Sequence, residues 1–303
     1  MNVLSLFDGM SCGMIALERA GIKVDNYYAS EIKKHALQVS KHNYPNIIQV
    51  GDVRQLSYND GYLSTETGTI YVGKIDLLIG GSPCQDFSIC KAMDVVNRTG
   101  ITGLEGDKSS LFYEYLRLRD EIKPTHFLLE NVRLNKSSKA ELDEYLGVEG
   151  VLINSSLVSY QRRARYYWTN IPNLTIPVDR KISFQDYKET DDAIAGVRAL
   201  NPKAKSWINM WSDGKGTNQQ GSCANITDAD KIYCLTTKQD RSPNSGMIAH
   251  GDFCRFLTQR ELEQAQTVPV GYTSCLSYYK AADVLGDGWT VDVIAHIFKE
   301  LKT

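Results

Sequence analysis

Three segments of the chain carry the side chains that covalent chemistry on a polar ring requires. The stretch Gly80–Cys84 follows the apolar run 75–79 and presents a thiol at the end of a predicted strand. A second apolar strand, 127–129, ends in the carboxylate of Glu130. In the motif Gln-Arg-Arg-Ala-Arg at 161–165, Arg163 and Arg165 stand at alternate positions. Together these groups indicate a nucleophile with partners that stabilise developing charge.

Each of these segments also has an ordinary structural reading. Small buried cysteines are common in protein cores, so Cys84 alone does not identify a nucleophile. Glu130 could be a solvated strand end, and arginines at alternate positions could line an exposed strand face. Because all three segments occur in one chain, we favour the interpretation that they form a catalytic site.

The placement of these side chains depends on an α/β architecture that the first half of the chain predicts. Short apolar runs alternate with helical patterns, which is typical of a parallel, doubly wound sheet. Right-handed crossovers would bring the carboxyl ends of the strands to one edge, where ligands bind. The predicted strands are 3–7, 27–30, 47–50, 75–79 and 127–129, and the predicted helices are 13–20, 33–42 and 110–122.

The first three strand ends have the composition of a site for a cofactor that contains a nucleoside. Gly9 and Gly13 lie in the turn that opens the first helix, where backbone can approach a ligand and negative charge is favoured. Their spacing does not match Gly-x-Gly-x-x-Gly, which disfavours a dinucleotide. Glu31 could accept hydrogen bonds from both ribose hydroxyls, and Asp52 from an adenine amino group. Either acid alone would be a solvated strand end.

In the order and wording of these motifs the chain resembles the DNA (cytosine-5-)methyltransferases, most closely the animal de novo enzymes and the bacterial and phage C5 methylases. The resemblance implies a Rossmann-like S-adenosylmethionine-dependent methyltransferase domain with a small, loop-rich target-recognition domain. Asp287 departs from the family's last motif. The residues implied in binding S-adenosylmethionine are Phe7, Asp8, Gly9, Met10, Ser11, Cys12, Gly13, Glu31, Ile32, Asp52, Val53, Gly81 and Trp289.

The resemblance also implies a mechanism. Cys84 would add to C6 of cytosine, which makes C5 nucleophilic, while Glu130 contacts N3 and Arg165 contacts O2. Arg163 would support the nucleophile's surroundings or a phosphate. Because these ring atoms cannot be reached inside a duplex, the base must be flipped out, and we expect residues 85–107 to close over it.

The regular pattern ends near residue 170 and returns at 255. We therefore expect a catalytic and cofactor domain at 1–169, a target-recognition domain at 170–254, and a segment at 255–303 that returns to the catalytic domain. Thr258 and Glu261 predict a capped helix start, and a final helix is expected at 290–301. The residues expected to contact DNA are Gln85, Ser88, Arg98, Thr236, Thr237, Lys238 and Arg241.

Composition excludes several classes of protein. Net charge is −2, although basic residues outnumber acidic ones between 160 and 255. The seven cysteines form no Cys-x-x-Cys pair, which argues against a disulfide framework or a zinc site. No apolar run approaches the roughly 20 residues needed to span a bilayer, and the start does not read as a signal peptide. We expect a cytoplasmic protein, bacterial or phage-encoded, with no metal and no membrane association.

The expected partners are duplex DNA and a cognate restriction endonuclease. Two other readings stay open. One family of this architecture methylates tRNA at cytosine C5, and activity on a transcript would identify it. A non-catalytic DNA-binding homologue is the second, which the presence of Cys84, Glu130 and Arg165 disfavours.

Overall fold

The computed structural model describes residues 1–82, 110–189, 203–204, 208–209, 223–237, 239, 243–250 and 253–302. Several of the predicted functional residues lie outside these ranges, namely Cys84, Gln85, Ser88, Arg98, Lys238 and Arg241. The chain divides into two compact units. The first consists of Met1–Ile153, Ala164–Ile176 and Ala295–Thr303, and the second of Asn154–Arg163 and Pro177–Ile294. The division by function at residues 169 and 254 stays a prediction.

The first unit is built around a seven-stranded sheet. In chain order the strands of this unit are β1 (Asn2–Leu6), β2 (Asn26–Ser30), β3 (Ile48–Gln49), β4 (Ser57–Asn59), β5 (Tyr62–Thr65), β6 (Gly68–Tyr71), β7 (Leu77–Gly80), β8 (His126–Val132), β9 (Val151–Asn154) and β10 (Ala164–Thr169). The sheet has the order β3-β2-β1-β7-β8-β10-β9. Its strands from β3 to β8 are parallel, whereas β10 runs antiparallel to β8. The predicted parallel, doubly wound sheet is confirmed.

The strand order reverses between β1 and β7. From β1 the chain builds outward to β2 and β3, and it then returns to the other side of β1 as β7 and β8. In open α/β sheets this switch point opens a crevice at the carboxyl ends of the two strands, which is where ligands bind. The turn after β1 and the stretch that begins at Gly81 both start at this crevice.

Helices connect the strands of the first unit. They are α1 (Cys12–Ala20), α2 (Lys34–Asn43), α3 (Ser110–Ile122) and α4 (Lys136–Leu146). Gly21 ends α1 and Gly147 ends α4, each in the left-handed conformation that lets its N–H reach carbonyls of the last turn. At the start of α4 the Asn135 side chain accepts a hydrogen bond from the N–H of Ser138 at 2.8 Å. The helices predicted from sequence are therefore confirmed to within one or two residues.

The core of the first unit lies between the sheet and α3. Leu4, Leu78 and Leu129 from adjacent strands are fully buried in one cluster with Phe112 and Tyr115 of α3. Full burial of each large apolar side chain contributes about 1.5–3 kcal/mol. This packing fixes the strands whose ends carry the predicted site.

A small antiparallel sheet interrupts the alternation of strands and helices. It joins β4, β5 and β6, and its first turn consists of Asp60 and Gly61, with φ of 46° and 83°. Positive φ at both central residues is the two-residue hairpin geometry that an Asp-Gly pair favours. The ring centroids of Tyr62 and Tyr71 are 5.1 Å apart on this sheet, and both side chains are exposed.

The second unit has short strands and helices. They are β11 (Lys203–Ala204), β12 (Ile208–Asn209), β13 (Cys223–Ala224), β14 (Ile248–His250), β15 (Phe253–Arg255), α5 (Gln259–Ala265), α6 (Tyr278–Asp287) and α7 (Val291–Phe298), the last of which ends in the first unit. The predicted capping box is confirmed: the N–H of Glu261 donates to Thr258 Oγ1, and the N–H of Thr258 donates to Glu261 Oε2. Among the described residues, no helix is both long and apolar enough to cross a bilayer.

Candidate active site

The turn between β1 and α1 has an uncommon backbone conformation. Phe7, Gly9 and Ser11 have φ of 56°, 62° and 62°, all in the left-handed region. A side chain in that region costs of order 1–3 kcal/mol and persists only where other contacts hold it. One such contact joins the N–H of Asp8 to the carbonyl oxygen of Ser30 on β2, at 3.0 Å. The turn is thus held by its neighbours in a shape that the chain alone would not favour.

The carboxyl group of Asp8 lies buried beneath this turn. Ser11 Oγ donates to Asp8 Oδ2 at 2.6 Å, and Tyr27 Oη donates to Oδ1 at 2.7 Å. Burial raises the pKa of Asp8 to about 6, although the hydroxyl groups that donate to it act in the opposite direction. Burial, together with this carboxylate, also raises the pKa of Tyr27 well above its usual range. With a pKa of about 6, the Asp8 carboxyl group anchors the turn from inside through these two hydrogen bonds.

Glu31, at the end of β2, accepts hydrogen bonds from the turn after β1 and from the turn after β2. Its Oε2 accepts the N–H of Gly9 at 2.8 Å, and its Oε1 accepts those of Ile32 and Lys33 at 2.8 Å each. The side chain that was predicted to bind ribose is thus a backbone acceptor as well.

Asp52, after β3, is paired with Arg54, which belongs to none of the sequence motifs. Arg54 Nε lies 3.0 Å from both carboxylate oxygens of Asp52, and the N–H of Arg54 donates to Oδ1 at 3.0 Å. This hydrogen-bonded guanidinium lowers the pKa of Asp52. The side chain of Arg54 is 59% exposed, so it can leave the carboxylate without disturbing the core.

Burial separates the predicted cofactor residues into two groups. Ile32 is 64% exposed beside Glu31, and a Cβ placed on Gly9 would meet no atom within 4 Å. Gly13 instead packs tightly, because a Cβ there would lie 2.4 Å from Ile79 Cδ1. Phe7 is half-buried. Four further predicted side chains in this region are buried, so only their backbone could contact a ligand: Met10, Ser11, Cys12 and Val53.

These residues fit a nucleoside-containing cofactor. Open space adjoins both Gly9 and Gly51, because a Cβ on either glycine would contact nothing within 4 Å. The acids Glu31 and Asp52 are acceptors suited to hydroxyl and amino groups, and the exposed Ile32 offers an apolar surface for a ring. The donor and acceptor set therefore suits S-adenosylmethionine.

The structure brings two of the predicted catalytic side chains together. Glu130 lies on β8 opposite Tyr167 of β10, two residues after Arg165. Arg165 Nε lies 3.1 Å from Glu130 Oε1, and the two side chains are only 15% and 10% exposed. A largely buried guanidinium beside a carboxylate can bind a polar ring at two neighbouring atoms.

The segment that leads to Cys84 starts beside this pair. Gly80 of β7 pairs with Leu129 of β8, the residue before Glu130. One step further, Asn131 Nδ2 donates to Ser82 Oγ at 3.3 Å, and Ser82 is buried. The last described residues before the thiol therefore lie at the same edge of the sheet as Glu130.

Arg163 occupies different surroundings. It belongs to the second unit and is 5% exposed, and its guanidinium donates to the carbonyl oxygens of Leu235, Gly286 and Gly288. Trp289 is half-buried in the same unit. Because β10 begins at residue 164, Arg163 lies outside the strand, and the alternation of side chains that the motif suggested does not apply to it.

Within the part of the chain that the structure describes, no group of three or more His, Cys, Asp or Glu side chains could hold a metal ion.

The fold and this set of strand-end residues define a class, the Rossmann-like methyltransferases. Residues 1–148 match the model of the family described as C-5 cytosine-specific DNA methylase. This is the family that the sequence motifs resemble, so the predicted resemblance is confirmed over residues 1–148.

Relatives and solved structures agree with this placement. The chain is 36% identical over 126 residues to the DNA (cytosine-5)-methyltransferase DRM2 of Arabidopsis thaliana, which covers 41% of this chain and 19% of that protein. It is 35% identical over 134 residues to the Type II methyltransferase M.Eco47II of Escherichia coli, which covers 44% and 27%. The chain thus spans well under half the length of these relatives.

Two solved structures match almost end to end. The methyltransferase EhMeth of Entamoeba histolytica has a TM-score of 0.68 at 15% identity and covers 100% of this chain and 99% of its own. A DNMT2 structure from Spodoptera frugiperda has a TM-score of 0.68 at 18% identity, with the same coverage. At such identities the likeness is one of fold, and it confirms the predicted fold class.

Proposed function

We propose that this chain transfers a methyl group from S-adenosylmethionine to C5 of a flipped-out cytosine in duplex DNA, at a specific sequence. The observation that carries the proposal is the largely buried Glu130–Arg165 pair at 3.1 Å, at the sheet edge where the segment leading to Cys84 begins. The family match over residues 1–148 and the resemblance to M.Eco47II support DNA as the substrate.

In this proposal three side chains, Cys84, Glu130 and Arg165, act on different atoms of the cytosine ring. The thiolate of Cys84 forms a bond to C6, and the electron pair displaced from the C5–C6 bond makes C5 nucleophilic. Glu130 donates a proton or a hydrogen bond to N3 of the ring, and Arg165 contacts O2, where charge develops. After methylation a base removes the proton from C5, the electron pair re-forms the C5–C6 bond, and the thiolate of Cys84 leaves.

The cofactor residues act by binding and orientation. S-adenosylmethionine, when bound, supplies an electrophilic methyl group on a sulfonium. The turn Phe7–Gly13 would hold its carboxylate at the start of α1, and Glu31, Asp52 and the exposed Ile32 would hold its nucleoside part. Gly81 and Trp289 are further proposed contacts. Residues 170–254 would read the DNA, with Thr236 and Thr237 on the backbone.

Relatives named as Type II methyltransferases support two further parts of the proposal. One is a partner restriction endonuclease, and the other is a cytoplasmic site of action.

Sequencing of plasmid DNA tests the function directly. Plasmid from cells that express the wild type should carry 5-methylcytosine in one short motif after bisulfite conversion. Cys84→Ser should abolish this signal, whereas Cys275→Ser, a matched thiol substitution outside the proposed site, should retain it. Absence of methylation by wild-type protein that still binds S-adenosylhomocysteine would refute the assignment to DNA, and methylation of a tRNA transcript would replace it.

A further inference from the structure

The buried guanidinium of Arg163 donates hydrogen bonds to three backbone carbonyl oxygens. Its Nη1 donates to the carbonyl oxygen of Leu235 at 3.0 Å and to that of Gly286 at 3.4 Å, while Nη2 donates to that of Gly288 at 3.1 Å. A guanidinium stays charged at any physiological pH, so its burial is stable only when its N–H groups are satisfied. Here backbone oxygens from two separate segments satisfy it, and the arginine therefore joins those segments.

The same two segments touch directly at Gly286. A Cβ placed on this residue of α6 would lie 2.3 Å from the carbonyl carbon of Thr236, 2.4 Å from its oxygen and 2.6 Å from the nitrogen of Thr237. Real Cβ atoms do not approach other atoms so closely, and the obstructing atoms are backbone, which cannot rotate away. The peptide between Thr236 and Thr237 thus lies flat against α6 at a position that only glycine permits.

Two buried glutamines complete the connection. Gln161 Oε1 accepts the N–H of Leu235 at 2.9 Å, and Gln161 Nε2 donates to Gln266 Oε1 at 3.0 Å. Gln266 Nε2 in turn donates to the carbonyl oxygens of Leu285 and Gly288, at 2.6 and 3.0 Å. A satisfied buried network of this kind has one favourable arrangement, so it fixes the backbone on both sides.

We propose that Arg163 and Gly286 are positioning residues that hold the segment 235–237 in the single conformation in which it contacts DNA. The inference deepens the proposed function and rests on it, because Thr236 and Thr237 are the proposed contacts to the DNA backbone. Both threonine side chains are half-buried, whereas their shared peptide is packed against α6. A segment held in its binding conformation before DNA arrives loses less entropy on binding. Arg163 acts through this segment rather than on the cytosine ring.

Hydrogen exchange tests, without any assumption about activity, whether Arg163 holds the segment 235–237; this restraint is called the clamp below. Arg163→Lys keeps the charge but cannot reach three carbonyl oxygens with a planar fork. Exchange of the Leu235 amide, which donates to Gln161, should become about tenfold faster or more, because hydrogen bonds to a charged group are among the stronger ones in proteins. Arg162→Lys is the matched control, because Arg162 is exposed and its guanidinium lies over the Tyr233 ring.

Steady-state kinetics with plasmid DNA and radiolabelled S-adenosylmethionine test the functional part. Arg163→Lys should raise KM for DNA by about tenfold, with kcat changed less than about threefold, as for loss of uniform binding. Gly286→Ala should produce the same split, with the Kd for S-adenosylhomocysteine measured by calorimetry as evidence that each variant is folded.

The outcomes separate the two proposals. Unchanged exchange of Leu235 in Arg163→Lys would overturn the clamp, and so would a fall in kcat at constant KM, which would assign Arg163 to the chemical step. If the wild type methylates no DNA, the proposed function fails while the exchange experiment still decides whether Arg163 holds the segment.

Discussion

The buried carboxyl group of Asp8 predicts a specific dependence of stability on pH. Its pKa rises from 3.8 to about 6 in the folded protein, chiefly through burial. The folded state therefore binds this proton more tightly than the unfolded state does. The stabilising effect of the proton is complete below about pH 4 and is lost as pH rises through about 6. At about 1.4 kcal/mol per unit, the loss is about 3 kcal/mol, roughly half of it above pH 5.

The perturbation that isolates this effect is Asp8→Asn. The amide is neutral at every pH, and the hydroxyl groups of Ser11 and Tyr27 can still hydrogen-bond to it. Free energies of unfolding from urea titrations, at intervals from about pH 5 to about pH 8, should therefore fall more in the wild type than in the variant. The free energy of unfolding of the wild type minus that of the variant should therefore fall by about 1–2 kcal/mol across that range.

A second aspartate provides the control. The pKa of Asp52 is lowered by Arg54, so its stabilising effect is present above the unfolded pKa and is lost only in acid. Asp52→Asn should accordingly give a curve parallel to that of the wild type above about pH 5. A difference between wild type and Asp8→Asn that stays constant with pH would refute the reasoning, because it would mean that Asp8 does not titrate in this window.

Three further predictions concern other parts of the first unit. Glu130→Gln should lower kcat for methyl transfer by at least about 100-fold, which is the low end for loss of an acid–base group. Glu141→Gln, on the exposed face of α4, is the control and should leave kcat unchanged. A retained kcat in Glu130→Gln would contradict the role assigned to Glu130. Arg54→Ala should tighten S-adenosylhomocysteine binding by a few-fold in calorimetry, because Asp52 no longer has a competing partner and an exposed ion pair competes only weakly; weaker binding would make Arg54 a contact instead. Gly13→Ala should lower the free energy of unfolding by about 1–3 kcal/mol through overpacking against Ile79, and an unchanged urea midpoint would show that the contact can relax.

Much of the first unit could be predicted because its signals are local. Apolar runs that end in an acid gave the positions of Glu31 and Glu130, and the alternation of strands and helices brought those ends to one edge. In the second unit, the helix start at Thr258 follows from residue type and spacing alone.

What escaped prediction depended on long-range packing or on a turn that was not recognised. The hairpin at 57–71 carries an Asp-Gly pair, Asp60 and Gly61, which is a hairpin signal readable from the sequence. The surroundings of Arg163 had no such signal: its partners Leu235 and Gly288 are 72 and 125 residues away along the chain. The alternate spacing of Arg163 and Arg165 would place both side chains on one face of a strand. In the structure β10 begins at Ala164, so Arg165 belongs to the strand and Arg163 does not.

The three backbone hydrogen bonds to Glu31 limit what this side chain can still do. An ionised carboxylate offers about four lone-pair positions, and the N–H groups of Gly9, Ile32 and Lys33 occupy three. One acceptor position is left, on Oε2. A ribose would therefore find room for a single hydroxyl at Glu31, and its second hydroxyl would have to displace a backbone donor or turn to water. Of the 2′-deoxy and 3′-deoxy forms of a nucleoside ligand, only one should lose affinity.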